Sequence, residues 1–138
     1  MDRAKLAAQL TVDEGRKSRI YLDTRGKWTG GVGFNFSDCP IPGHIIDALL
    51  DYKIDEAQTE LDRVLPWWRT LNDARANALC NMMFQMGTDK LLGFKKTLEL
   101  LKAGRWDAAA TEALDSDWAR QTPNRAKRVT DMIRTGEF

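Results

Sequence analysis

Histidine is almost absent from this chain, which has one, His44, in 138 residues. That scarcity argues against a histidine-based zinc site and against Ser-His-Asp nucleophilic chemistry. Cysteine is nearly as rare: Cys39 and Cys80 stand far apart with no partner at metal-ligand spacing, so they read as reduced thiols rather than a disulfide framework. No apolar run approaches the roughly 18 residues that a membrane span needs. The N-terminal stretch MDRAKLAAQLTVDEG is too interrupted by charge to serve as a signal peptide. The expectation is a chain made in the cytosol, without stable membrane insertion. A charge excess of one sign is also missing, since the net charge is only +1. Residues 1–36 carry seven Lys/Arg against four Asp/Glu, residues 37–65 two against seven, and residues 66–138 twelve against nine. No element concentrates the basic residues as a nucleic-acid binder would, and the run NRAKRV is short enough to be a solvated helix face.

What is present suits a globular fold. With 43% hydrophobic residues, the chain can build one or two compact lobes around a core. Residues 3–14 fit a helix capped by Asp2 and stopped by Gly15. From Arg19 the texture changes: RIYLDTRGKWTGGVGFNF mixes β-formers with Gly26, Gly30, Gly31 and Gly33, which predicts short strands joined by tight turns. After SDCPIPG, apolar residues recur in steps of three and four from Ile46 to Val64, and Pro66 ends the run, predicting one long amphipathic helix. The remainder reads as helices. One starts at Asn72 and stops at Gly87, another stops at Gly104, and RWDAAATEAL and NRAKRVTDMIRTG follow. No internal repeats or low-complexity segments interrupt the pattern. The expected class is α+β, a small antiparallel sheet lobe joined by a long helix to an all-helical lobe, with a cleft between them. Its expected bounds are about 14–50 for the sheet lobe, 43–65 for the connecting helix, and 66–138 together with helix 1–14 for the helical lobe.

One feature resists a purely structural reading. Asp13 and Glu14 close the first helix, where the helix dipole disfavours negative charge. Asp23 follows on the sheet after eight residues and Thr29 after five more. If the strands fold back over the helix end, the two carboxyl groups and one hydroxyl face a common opening. Such a set suits glycoside hydrolysis, in which one carboxylic acid protonates the leaving oxygen and a carboxylate handles the water or the developing cation. A carboxyl in an unfavourable field, if partly buried, has its pKa raised, as a general acid requires. Set against this, acids before a helix stop can simply pair with arginines. GGVG is not a phosphate loop. Trp67 and Trp68, a conceivable sugar platform, fit packing better, and Met82, Met83 and Met86 read as core.

The spacing Glu14, Asp23, Thr29, followed by Gly31 and Gly33, resembles the T4 lysozyme-like endolysins. NMMFQMG at 81–87, GFKKTLELLKAGRWDAAA at 93–110, QTPNRAKRV at 121–129 and RTG at 134–136 resemble the family's C-terminal lobe, so the likeness spans nearly the whole chain. The resemblance implies a muramidase that hydrolyses the β-1,4 bond between N-acetylmuramic acid and N-acetylglucosamine in bacterial peptidoglycan, leading to lysis. Glu14 would be the general acid. Asp23 would stabilise the oxocarbenium-like transition state or activate water, and Thr29 would help place that water. Inversion is the family's usual assignment, and Asp23 as covalent nucleophile is the retaining alternative. Gly33 and Phe84 match cleft-lining positions, and Gln85 and Trp118 a polar contact beneath them. Arg125 would lie against Glu14 and Arg128 would pair Asp13, both mainly architectural.

The resemblance implies no cofactor and no metal. It implies a monomer held in the host cytoplasm until a separately encoded pore releases it to the wall. A non-hydrolytic peptidoglycan-binding or virion structural protein of the same fold is the alternative. Two departures stand out: Phe34 replaces the family's common histidine, and Gly30 replaces an apolar residue, which predicts a looser strand after Thr29. The acidic segment 37–65 is also shorter than in the family's namesake.

Overall fold

A computed structural model describes all 138 residues. The chain divides into two compact units, Met1–Ala48 and Leu49–Phe138.

In the first unit, α1 (Arg3–Glu14) begins where the Asp2 side chain accepts a hydrogen bond from the Lys5 N–H at 3.0 Å, and it stops at Gly15 with φ 75°. The sheet that follows has three antiparallel strands in sequential order, β1 (Lys17–Leu22), β2 (Trp28–Gly31) and β3 (Phe34–Asn35). Tyr21 pairs with Thr29, and Thr29 in turn with Asn35. The strand after Thr29 is not left slack by Gly30. That residue is buried, and a Cβ added there would meet the Ile20 Cγ2 and the Phe36 ring at 3.1 Å each, so neighbouring side chains occupy the space an apolar residue would take. Phe34 lies over the backbone of Gly31 and meets Phe36 edge-on, with ring centroids 6.4 Å apart. Gly30, Phe34 and Phe36 thus form one packing arrangement.

The long helix α2 (Gly43–Val64) runs through the division into the second unit. A short 3-10 turn (Pro66–Thr70) follows, then α3 (Asp73–Met86), α4 (Thr88–Leu92), α5 (Lys95–Lys102), α6 (Trp106–Leu114), α7 (Asp117–Gln121) and α8 (Pro123–Thr135). Leu61, Leu79, Met82, Leu91, Leu101, Val129 and Ile133 form the centre of the core, with Met83 buried beside them. Trp68 is buried too. Its indole N–H donates to Asp62 Oδ1 at 2.7 Å, and the Arg69 guanidinium lies 4.7 Å from its ring centre, so packing rather than sugar stacking accounts for it. No helix is long and apolar enough to cross a membrane.

The RTG motif has a concrete purpose in this core. Gly136 ends α8 in the left-handed region with φ 74°, and its N–H donates to the Met132 carbonyl at 2.9 Å. The next two carbonyls of the last turn would be orphaned. Arg75 of α3 supplies their donors, Nε to the Ile133 oxygen at 2.8 Å and Nη2 to the Arg134 oxygen at 3.3 Å, while its guanidinium lies 4.2 Å from the centre of the Trp106 ring. Asn72 caps α3 with its oxygen and donates from its amide nitrogen to the Gly136 carbonyl at 2.9 Å. A cation at a helix C-terminus is favourable. Arg75→Ala is therefore expected to destabilise the protein by about 2 kcal/mol, because charged hydrogen bonds to carbonyls and a cation–π contact are lost together. Denaturant melts of wild type and variant give the difference, and an unchanged midpoint would show the clamp to be idle.

Candidate active site

The site in the first unit is built on a turn. Between β1 and β2 the chain reads DTRGK, with Asp at the start and Gly in the position that tolerates positive φ. Gly26 takes φ 73°, and its N–H donates to the Asp23 carbonyl at 3.0 Å. The Asp23 side chain closes the turn from inside: Oδ1 accepts from the Arg25 N–H at 2.8 Å and from the Lys27 N–H at 2.9 Å. The Asp23 N–H in turn donates to the Lys27 carbonyl at 2.9 Å. Two backbone donors hold one carboxylate oxygen, and the other, Oδ2, faces the hydroxyl of Thr29 at 3.4 Å. Thr29 is buried, and its Oγ1 also lies 3.2 Å from the Lys27 carbonyl, so Oδ2 and that carbonyl share its single proton.

This arrangement holds the Asp23 carboxyl below its ordinary value of 3.8. The Lys27 N–H is the largest cause, opposed by partial desolvation and reinforced by the Arg25 N–H, the Thr29 hydroxyl and the Arg25 charge. Asp23 is thus kept ionised.

Glu14 is the last residue of α1 and is exposed rather than partly buried. Its carboxyl group rests against the backbone of Gly33, in the turn between β2 and β3. A Cβ built at Gly33 would sit 2.5 Å from Glu14 Oε2 and 2.9 Å from its Cδ, and Gly33 also has φ 66°. Only glycine satisfies both the space and the backbone there. The sheet therefore does fold back to the end of α1.

The second unit carries the other residues singled out from sequence. Gln85 Oε1 accepts from the Trp118 indole N–H at 2.8 Å, and Trp118, which is buried, meets Phe94 edge-on at 6.0 Å. They line a groove of about 780 Å³ together with Lys95, Lys96, Glu112 and Asp117. Phe84 is exposed on α3, the residue before Gln85. Arg125 donates from Nε to Asn81 Oδ1 at 2.8 Å, joining α8 to α3, a partner the sequence did not suggest. Arg128 is exposed on α8, and Asp13 is exposed on α1 in the first unit. Cys39 and Cys80 are both free thiols, and burial pushes the Cys80 thiol up.

Comparison with known sequences decides the family. The Phage lysozyme family model matches residues 12–134. The chain belongs to the phage lysozyme family. This family member is 31% identical to Probable T4-type lysozyme 1 of Dictyostelium discoideum, over 92% of its own length and 92% of that protein. It is 29% identical to Probable T4-type lysozyme 2 of the same organism, over 96% and 95% respectively. Its 33% identity to the Pre-baseplate central spike protein Gp5 of Enterobacteria phage T4 covers 96% of this chain but only 28% of that protein. The family's fold in this chain is α+β, with a three-stranded antiparallel sheet.

Proposed function

We propose that this phage lysozyme family member is a muramidase, cleaving the β-1,4 bond between N-acetylmuramic acid and N-acetylglucosamine in bacterial peptidoglycan and working as an endolysin. The observation that carries this reading is the geometry of two carboxyl groups in one unit, Asp23 fixed in the β1–β2 turn and Glu14 set against Gly33 of the β2–β3 turn. Asp23 is held ionised by two backbone N–H donors, so it takes the role of the carboxylate. Glu14, whose carboxyl group rests against Gly33 at the end of α1, takes the role that the family resemblance implies, the acid that protonates the glycosidic oxygen as the bond breaks. Oδ1 of Asp23 is occupied by the turn, so Oδ2 is the oxygen available to the reaction. The Thr29 hydroxyl beside it has lone pairs free to orient a water. A water activated by Oδ2 and attacking C1 opposite the leaving oxygen gives inversion in one step. Proton flow balances: Glu14 loses its proton to the leaving oxygen, and the attacking water gives one up to Asp23.

The groove at Gln85 and Trp118 supports a polymeric substrate. Cations, anions and aromatic rings together line it, a mixture suited to a strand that carries sugars, carboxylates and amines. Release to the wall through a separately encoded pore, and action as a monomer, belong to the same reading.

The spike relative favours a second reading, a virion component that keeps the fold and binds the wall. Insoluble purified peptidoglycan separates the two. A muramidase releases soluble fragments with new reducing ends, whereas protein that sediments with the wall and releases none supports the second reading. Gly33→Ala is expected to lower release about a hundredfold, because a Cβ at 2.5 Å from Glu14 Oε2 displaces the acid by a fraction of an ångström or more. Initial rates of reducing-end formation measure it, and an undiminished rate would separate Glu14 placement from the reaction.

A further inference from the structure

Lys27 is the hub of the Asp23 turn, and its side chain leads away to residues that the catalytic set does not include. Its N–H binds Asp23 Oδ1, its carbonyl accepts from the Asp23 N–H, and the same carbonyl lies 3.2 Å from the Thr29 hydroxyl. Whatever fixes the Lys27 backbone therefore fixes both reactive side chains. The Lys27 ammonium donates to Asp38 Oδ1 at 3.0 Å. The other Asp38 oxygen accepts from the Asn35 amide at 2.9 Å. Asn35 closes its own turn, its Oδ1 accepting from the N–H groups of Ser37 at 2.9 Å and Asp38 at 3.1 Å. Ser37 Oγ accepts from the Trp28 N–H at 2.8 Å. Lys27 and Trp28, which lie between Asp23 and Thr29 in sequence, are thus both tied to the segment 35–38.

We propose that Lys27, Asp38 and Asn35 are positioning residues, which hold the Asp23 carboxylate and the Thr29 hydroxyl in register by bracing the hairpin turn against the segment after β3. The proposal rests on the muramidase reading for its kinetic consequence. The brace is modest in strength, because the Lys27 and Asp38 side chains are 42% and 52% exposed and exposed ion pairs contribute little on their own. Its effect lies in geometry.

Asp38→Ala and Lys27→Met test it, with Lys27→Arg as the conservative variant and Asp38→Asn as a second one should alanine disturb folding. The first readout is independent of activity: the carboxyl carbon of Asp23, followed by NMR through an acid titration. Loss of the Asp38 charge by itself can only lower the Asp23 pKa, with Arg25 and the N–H groups of Arg25 and Lys27 still facing it. Loosening the turn instead raises it. The expected result is a rise, together with a threefold to tenfold fall in kcat at unchanged KM, wild-type behaviour in Lys27→Arg, and a double variant no worse than either single one. An Asp23 pKa that stays or falls in Asp38→Ala overturns the proposal, as does an unchanged kcat. If the wild type releases no reducing ends, the muramidase reading fails, while the Asp23 titration still decides whether the brace exists.

Discussion

Glu14→Gln is expected to abolish glycan hydrolysis, lowering the rate by about a thousandfold or more, while the protein folds as before. General acid catalysis contributes on the order of 10² to 10⁴ in rate, and glutamine has the shape of glutamate without a proton to give. Folding should not suffer, because Glu14 is exposed at the C-terminal end of α1, with no basic residue in that last turn. The helix dipole there opposes a negative charge, so the variant should melt at the wild-type temperature or slightly above it. Reducing-end assays beside a thermal melt give both results. A variant with full activity would remove Glu14 from the chemistry.

Asp23→Asn carries the second large effect, a fall of about a hundredfold to a thousandfold, comparable to losing a preorganised charge that stabilises the transition state. The substitution is chosen because asparagine keeps an oxygen that can accept from the Arg25 and Lys27 N–H groups, so the turn closes and the charge alone is removed. Asp23→Ala, which also opens the turn, should lose more stability at similar activity. The pH dependence follows from the sign of the shift. Asp23 in the folded protein titrates below its ordinary value, so its contribution to stability is complete above the unfolded value and is lost as pH falls through the lower, folded one. The stability difference between wild type and Asp23→Asn should therefore be constant at neutral pH and shrink only below 3.8. A difference that disappears already between pH 5 and 6 would contradict the hydrogen-bonded carboxylate.

The residues that announce themselves in sequence are those whose function is local. Asp2, Asn72, Gly15 and Gly87 begin and end helices through their own backbone and side-chain chemistry, and each stands at the expected terminus. The apolar spacing of α2 marks that helix equally well. The five-residue helices α4 and α7 and the 3-10 turn are too short to develop a period. In the site, the turn chemistry of DTRGK was within reach of a local rule, and the pairing of Asp23 with Thr29 follows from it. The contact of Glu14 with Gly33 was not, because it joins a helix end to a strand turn and depends on a missing Cβ rather than on any group present. Arg75 and Asn81 escaped for the same reason. Their partners lie on α8, 58 and 44 residues away in sequence, and nothing in their own neighbourhoods distinguishes them from surface polar residues.

The central claim is that Glu14 and Asp23 hydrolyse the bond at the N-acetylmuramic acid C1. Mass spectrometry of the soluble fragments from purified peptidoglycan, digested by wild type and by Glu14→Gln in parallel, tests it most directly. The account predicts fragments ending in a free, reducing N-acetylmuramic acid from the wild type and none from the variant. Fragments ending in N-acetylglucosamine, or intact glycan after prolonged digestion with wild type, would contradict it.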